Sequence, residues 1–158
     1  MSGLTHVGPG GEARMVDVSD KPSTPRFARA AGAIRMQAAT LAAIRENALG
    51  KGDVLAVAKI AGVMAAKRTA ELVPLCHSIA LSDVQVTLSL DPELPGVQVE
   101  ATARTTGQTG VEMEAITAVA VTLVTVYDMA KGVDRGMTIT DIRLLEKGGG
   151  RSGHWQRG

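Results

Sequence analysis

A chain of 158 residues, 45% apolar and 21% charged, has the length and composition of one globular domain closing a single core, which excludes a disordered chain. Its formal net charge of +1 gives no general attraction to nucleic acid or to an acidic membrane surface, and its few aromatic residues, Phe27, Tyr127 and Trp155, do not suit a base-stacking binder. The lone cysteine, Cys76, excludes an intrachain disulfide and suits a reducing, cytoplasmic setting.

The first 25 residues, with glycines at 8, 10 and 11 and prolines at 9, 22 and 25, read as a mobile arm. Within it "MVDVS" at 15–19 has the alternation of a short edge strand, and no apolar leader is present, so no secretory signal is expected. Residues 26–36 are expected as a strand. The run "QAATLAAIRENALG" places Leu41, Ile44 and Ala48 at helical spacing and predicts a helix stopping at Gly50. Lys51-Gly52-Asp53 then opens a second helix over 53–72, with Val54, Val57, Ala61, Met64 and Ala65 on one face and Pro74 as its terminator.

Strict alternation at Val84, Val86, Leu88 and Leu90, and again at Val97, Val99, Ala101 and Ala103, predicts an antiparallel hairpin with one wet face. Residues 111–131 are rich in β-branched side chains, yet their length and ends favour a helix. Thr109 and Glu112 have capping-box spacing, and Lys131-Gly132 supplies a basic end and a stop. The apolar run 115–127 is too short to span a bilayer, which takes about 20 residues. A last strand over 137–146 precedes a flexible, Gly-rich basic tail at 147–158. The order strand, helix pair, strand, strand, helix, strand predicts one α+β domain over 1–158, with a ferredoxin-like antiparallel sheet and helices packed on one face.

Several residues invite chemistry. Cys76-His77 sits in the apolar run "LVPLCHSIAL" and fits four roles: a buried thiol beside a hydrogen-bonded histidine, a nucleophile with its base, half of a metal site, or a pocket lining. The remaining histidines, His6 and His154, lie in the terminal segments, so no metal site is expected. Lys51 stands between two helices; Lys59, Lys67 and Arg68 follow along the second; Arg104 lies on the polar face of a strand. A solvated role is open to each, but Lys67-Arg68 beside an apolar pocket suits an anion. In "TTGQTGVEMEA", Gly107 and Gly110 leave backbone N–H groups free ahead of a helix N-terminus, which favours an anion, though the Gly-Lys-Ser/Thr element of a P-loop is missing. Glu112 is accounted for by the capping box and Glu114 by the first helical turn. Asp128 opposes the helix dipole and precedes Lys131 at i,i+3 spacing, so the two form either a simple ion pair or an acid/base pair.

Read together, "MVDVSDK" (15–21), "KGDVLAVAKIAGVMAAKRT" (51–69), "LVPLCH" (72–77), "RTTGQTGVEMEAITAV" (104–119), "YDMAK" (127–131), "VDRGM" (133–137) and "IRLLEKGGGRSG" (142–153) resemble the MoaC family of molybdenum cofactor biosynthesis. The likeness is collinear over nearly the whole chain, and "PLCH" followed by "TGQTGVEMEA" is specific. Ser78, Ala130, Gly132 and Lys59 depart from the commoner family residues. The resemblance implies a phosphorus–oxygen lyase that converts 3′,8-cyclo-7,8-dihydroguanosine triphosphate, a GTP-derived tricyclic nucleotide, into cyclic pyranopterin monophosphate with loss of pyrophosphate.

It further implies that Asp128, Lys131 and Lys51 are catalytic and that Leu75, Cys76, His77, Met113 and Glu114 bind substrate. Glu112, Lys67, Arg68, Arg26 and Arg104 complete the substrate-binding candidates. No tightly bound cofactor is expected, with Mg²⁺ accompanying the triphosphate at most. The expected partners are further copies of the chain, in a hexamer built as a trimer of dimers with sites shared between subunits, and functional coupling to the radical SAM GTP cyclase of the pathway. The rival reading is a ferredoxin-like domain that senses a nucleotide without turnover; it has no need of Asp128 beside Lys131.

Overall fold

In the computed structural model, which describes residues 6–158, the chain runs β1 (Thr24–Arg35), α1 (Ala38–Arg45), α2 (Val54–Lys67), α3 (Thr69–Leu72), β2 (Asp83–Asp91), β3 (Gly96–Gly107), α4 (Glu112–Ala130), β4 (Thr138–Gly148) and β5 (Trp155–Gln156). The strands form one antiparallel sheet in the order β2-β3-β1-β4-β5. The first four strands have the ferredoxin-like arrangement, with β1 and β3 central. Helix α4 crosses β1, β3 and β4, and α2 packs on α4 and against β2.

The hairpin follows its alternation. Val86 on β2 and Val97, Val99, Ala101 and Ala103 on β3 are buried, while Gln98 and Arg104 on β3 are exposed to water. On β1, Ala28, Ala30, Ala33 and Ile34 are buried, and Ala28, Ala30 and Ile34 join the core cluster. Gly32 marks where α4 comes closest to that strand: a Cβ there would lie 2.9 Å from both Leu123 Cδ1 and Val119 Cγ1. Small residues on β1 therefore set how deeply the helix seats on the sheet.

Four local expectations change. Helix α1 ends at Arg45 rather than Gly50, because Asn47 takes φ 53° and the Asn47 and Ala48 N–H groups donate back to Ile44 and Ala43, closing a Schellman motif. The helix expected over 53–72 breaks at Arg68, and Thr69 Oγ1 donates to the Ala65 and Ala66 carbonyls released there. Its inner face is Val54, Ala58, Gly62, Ala65 and Ala66, leaving Val57 and Met64 exposed. The reason is close approach to α4, since a Cβ on Gly62 would collide with Thr122 Oγ1. The Thr109–Glu112 capping box does not form: α4 begins after Val111 with no side-chain cap, and the Glu112 carboxylate turns toward Lys147 instead, 3.9 Å away.

The segments at both ends dock on the domain. Residues 15–19 pair with no strand, but the Gln108 side-chain amide donates to the Ser19 and Lys21 carbonyls at 3.1 and 3.0 Å. In the 147–158 tail, β5 pairs with β4 through Lys147 and Trp155. By length and hydropathy α4 alone among the described helices matches a membrane span. In the fold it is the core helix, with Ala115, Ala118, Val119, Leu123 and Val126 fully buried.

Candidate active site

Two groups of side chains gather at opposite ends of α4. At its C-terminal end Lys51, Asp128 and Lys131 meet. Gly52 at φ +93° turns the chain sharply between Lys51 and Asp53, whose side chain accepts from Ala56 N–H to cap α2. That turn delivers Lys51 Nζ to Asp128, 3.1 Å from Oδ2 and 3.0 Å from the backbone oxygen. Lys131, the C-cap of α4, reaches back to Asp128 Oδ1 at 2.7 Å. Hydrogen bonds from Lys131 and then Lys51 hold the Asp128 carboxyl below the usual carboxylate range. The three side chains are each about half exposed, so the cluster adds little to stability and is available to a ligand.

The loop that follows is braced. Tyr127 O–H donates to the Arg135 carbonyl at 2.9 Å. Asp134 is buried and accepts from Gln37 N–H, Thr40 Oγ1 and Gly136 N–H, tying the α4–β4 loop to the start of α1. Sequence reasoning passes over Asp134; its only signal is its place in "VDRGM".

At the N-terminal end of α4 a cavity of about 320 Å³ opens between the arm, the 75–77 segment and the first helical turn. Leu75, Cys76, His77, Glu112, Met113 and Glu114 all line it, so these six candidates share one space. Val16, Val18 and Lys21 from the arm form its other wall. None of these three stands out in the sequence, although "MVDVSDK" contains them. Glu114 is only 4% exposed, and burial, with the nearby Glu112 charge, pushes its carboxyl up.

His77 Nε2 lies 2.7 Å from the Val16 carbonyl. A carbonyl only accepts, so Nε2 carries the proton and Nδ1 of the neutral ring is left as an acceptor. The Cys76 thiol is pushed up by burial and then by Glu114, which keeps it protonated and a poor nucleophile. Among the described residues no group of three or more His, Cys, Asp or Glu side chains is placed to hold a metal ion.

The remaining candidates separate. Lys67 and Arg68 line a smaller space of about 90 Å³ behind the first, walled by His77 and Glu114. Arg26 donates from Nε to the Gly107 carbonyl at 2.9 Å and from Nη2 to that of Gln108 at 3.2 Å, beside a third cavity. Arg104 points away from all of these, stacked over the Phe27 ring at 5.6 Å on the open face of the sheet.

A ferredoxin-like sheet carrying a Lys–Asp–Lys cluster and a cavity of mixed polar and apolar lining defines a small-molecule enzyme domain. The chain belongs to the MoaC family, whose model matches residues 15–150. It is 59% identical over 156 residues to the cyclic pyranopterin monophosphate synthase of Cereibacter sphaeroides, covering 99% of this chain and 98% of that protein. The proteins of the same name from Parvibaculum lavamentivorans and Thermomicrobium roseum are 60% and 55% identical over 153 and 157 residues, or 97% and 99% of this chain and 96% and 95% of theirs.

Proposed function

We propose that this protein is a cyclic pyranopterin monophosphate synthase of molybdenum cofactor biosynthesis, acting on the GTP-derived cyclic triphosphate and releasing pyrophosphate. The observation that carries this reading is the Lys51–Asp128–Lys131 cluster, in a chain similar from end to end to relatives of that name. As a phosphorus–oxygen lyase, the enzyme joins a sugar hydroxyl to the innermost phosphorus while the bond to pyrophosphate breaks. That step needs a group to take the hydroxyl proton and cations to meet the growing charge on the leaving group. The cluster carries both kinds of group: the Asp128 carboxylate can take the hydroxyl proton, and the Lys51 and Lys131 ammonium groups can meet the charge on the leaving group.

The cavity at the other end of α4 suits the purine-derived rings. The buried Glu114 carboxyl and His77 Nδ1 offer hydrogen-bonding groups to ring nitrogens and carbonyls. Lys67 and Arg68 add positive charge behind them. A Mg²⁺ ion, where used, arrives with the triphosphate.

Glu114 and Asp128 are 14 residues apart on α4, which is about 21 Å of helical rise. A substrate touching both groups therefore takes them from two copies of the chain, and this supports a shared site in a hexamer arranged as a trimer of dimers. Helix α2 already covers part of the apolar girth of α4; the large apolar side chains left exposed on the two helices are Val57, Ile60 and Met64 on α2 and Met113 and Val124 on α4. The proposal includes a cytoplasmic enzyme fed by the radical SAM GTP cyclase of the pathway.

The test is incubation of the full chain with the cyclic triphosphate, measuring pyranopterin monophosphate and pyrophosphate. Equal amounts of the two are expected. Recovery of intact substrate without pyrophosphate would leave only the sensing role.

A further inference from the structure

Asp134, in the loop just beyond Lys131, is 3% exposed, and among the described residues it forms no ion pair. A carboxylate so buried is costly unless hydrogen bonds meet its charge. Oδ2 accepts from Gln37 N–H at 2.9 Å and from Thr40 Oγ1 at 3.0 Å, and Oδ1 accepts from Gly136 N–H at 3.1 Å. Gln37 is the N-cap of α1 and makes no cap bond with its own side chain. Asp134 therefore supplies, from another part of the chain, the negative group that the start of a helix favours.

Both ends of α1 bear on the Lys51–Asp128–Lys131 cluster. At its start, the Asp134 carboxylate joins it to the loop that follows Lys131. At its end, the chain turns at Asn47, Leu49 is buried, and Gly52 N–H donates to the Leu49 carbonyl at 3.1 Å, in the turn that presents Lys51. Asp128 and Lys131 stand at the end of α4, where helices open most easily because the final carbonyls lack intrahelical partners. Here the chain wraps back. The Val133 and Asp134 N–H groups donate to the Ala130 carbonyl at 3.0 and 3.2 Å, and the Asp134 side chain fixes that wrap to α1.

We propose that Asp134 is a positioning residue for the cluster: by clamping the 131–136 loop onto α1, it keeps the last turn of α4 closed and holds Lys131, and through α1 Lys51, against Asp128. The part this plays in a reaction rests on the function proposed above; the clamp itself stands on its own hydrogen bonds. The cluster cannot hold its own geometry, since its side chains are about half exposed and ion pairs of that kind are weak. Proton transfer needs that geometry, and a misplacement of about 1 Å can cost on the order of 10²-fold in rate.

Asp134→Asn keeps the size of the side chain but replaces one accepting oxygen by a donor, so either Gln37 N–H or Gly136 N–H loses its partner. Thr40→Val removes one donor and leaves the carboxylate in place. The first readout needs no turnover: acylation of Lys131 and Lys51 in the full chain by limiting acetic anhydride, measured by mass spectrometry against the exposed Lys59. Amines held on a carboxylate react slowly, and Asp128→Asn marks the unpaired limit. In Asp134→Asn, Lys131 is expected to acylate several-fold faster than in wild type and Lys51 to gain less; Thr40→Val gives Lys131 an intermediate rate. With the cyclic triphosphate, Asp134→Asn is expected to lower kcat about 10–100-fold while KM stays within a few-fold. Val86→Ala, a deletion in the β2 core, is expected to lower Tm and leave kcat and the Lys131 rate at wild-type values. Wild-type Lys131 rates in both Asp134→Asn and Thr40→Val overturn the proposal, as does wild-type kcat in Asp134→Asn, whatever happens to Tm. If Asp134→Asn does not fold, a wild-type Lys131 rate in Thr40→Val suffices to overturn it. Faster Lys131 acylation in variants of a chain that leaves the cyclic triphosphate intact would keep the clamp and refute the enzymatic reading.

Discussion

Lys51 and Lys131 grip the two oxygens of one carboxylate: Lys51 Nζ is 3.1 Å from Asp128 Oδ2, and Lys131 Nζ is 2.7 Å from Oδ1. One lysine comes from the turn before α2 and the other from the end of α4, so the tertiary fold assembles the cluster. Its members are about half exposed, and ion pairs of that kind contribute roughly 0–1 kcal/mol. A cluster so exposed suits chemistry better than stability. Lys51→Ala, Asp128→Ala and Lys131→Ala are each expected to cut kcat by about 10²–10⁴-fold, the usual weight of general acid–base catalysis, with unfolding midpoints near wild type. Activity within a few-fold of wild type in all three removes the cluster from the mechanism.

Cys76 and His77 part company in the fold. The thiol is held protonated by burial, while the ring is fixed to Val16 and offers Nδ1. Cys76→Ser is expected to retain most activity, because a hydroxyl can line the cavity as the thiol does. His77→Ala is expected to be the more damaging change. Loss of activity in Cys76→Ser together with a substrate adduct on the wild-type thiol, sought by mass spectrometry, would reverse this assignment.

Glu114 makes the fold sensitive to pH. Burial holds its carboxyl above the usual range, so the folded state binds that proton more tightly than the unfolded chain does. The resulting stabilisation is complete below the unfolded value of about 4.3 and is lost as pH rises through the raised folded value. Glu114→Gln is neutral throughout and lacks this dependence. In thermal melts between about pH 4 and 8, the wild-type Tm is expected to fall relative to that of Glu114→Gln as pH rises. Parallel curves would show that the carboxyl titrates normally. Asp128 acts in the opposite sense: its depressed value keeps the cluster ionised until pH falls below the ordinary carboxylate range.

Subunit mixing tests the shared site. Glu114→Ala chains and Lys131→Ala chains, each inactive alone, are expected to regain part of the wild-type turnover once exchanged into mixed assemblies. Hybrid sites that draw the cavity from one copy and the cluster from the other would then be intact. No recovery after exchange proven by native mass spectrometry, or an active monomer, rules the shared site out.

The period-2 runs at 84–90 and 97–103 determine the hairpin without help, because one-sided burial writes itself directly into alternate positions. The apolar 111–131 segment likewise determines the core helix, and element order then leaves few ways to arrange the sheet. Which face of α2 turns inward is a different matter. Hydrophobicity favours Val57 and Met64, yet the packed face is Ala58, Gly62 and Ala65, because the distance to Thr122 on α4 admits nothing larger. The Thr109–Glu112 spacing suits a cap, but Lys147 on a distant strand draws the Glu112 side chain away. Asp128 and Lys131 are legible as neighbours from their spacing alone. Lys51 joins them across 77 residues, and the arm reaches His77 across 61, contacts that only the closed fold creates. Local sequence carries the periodicity of burial; it carries no record of which remote backbone turn or strand will supply a side chain's partner.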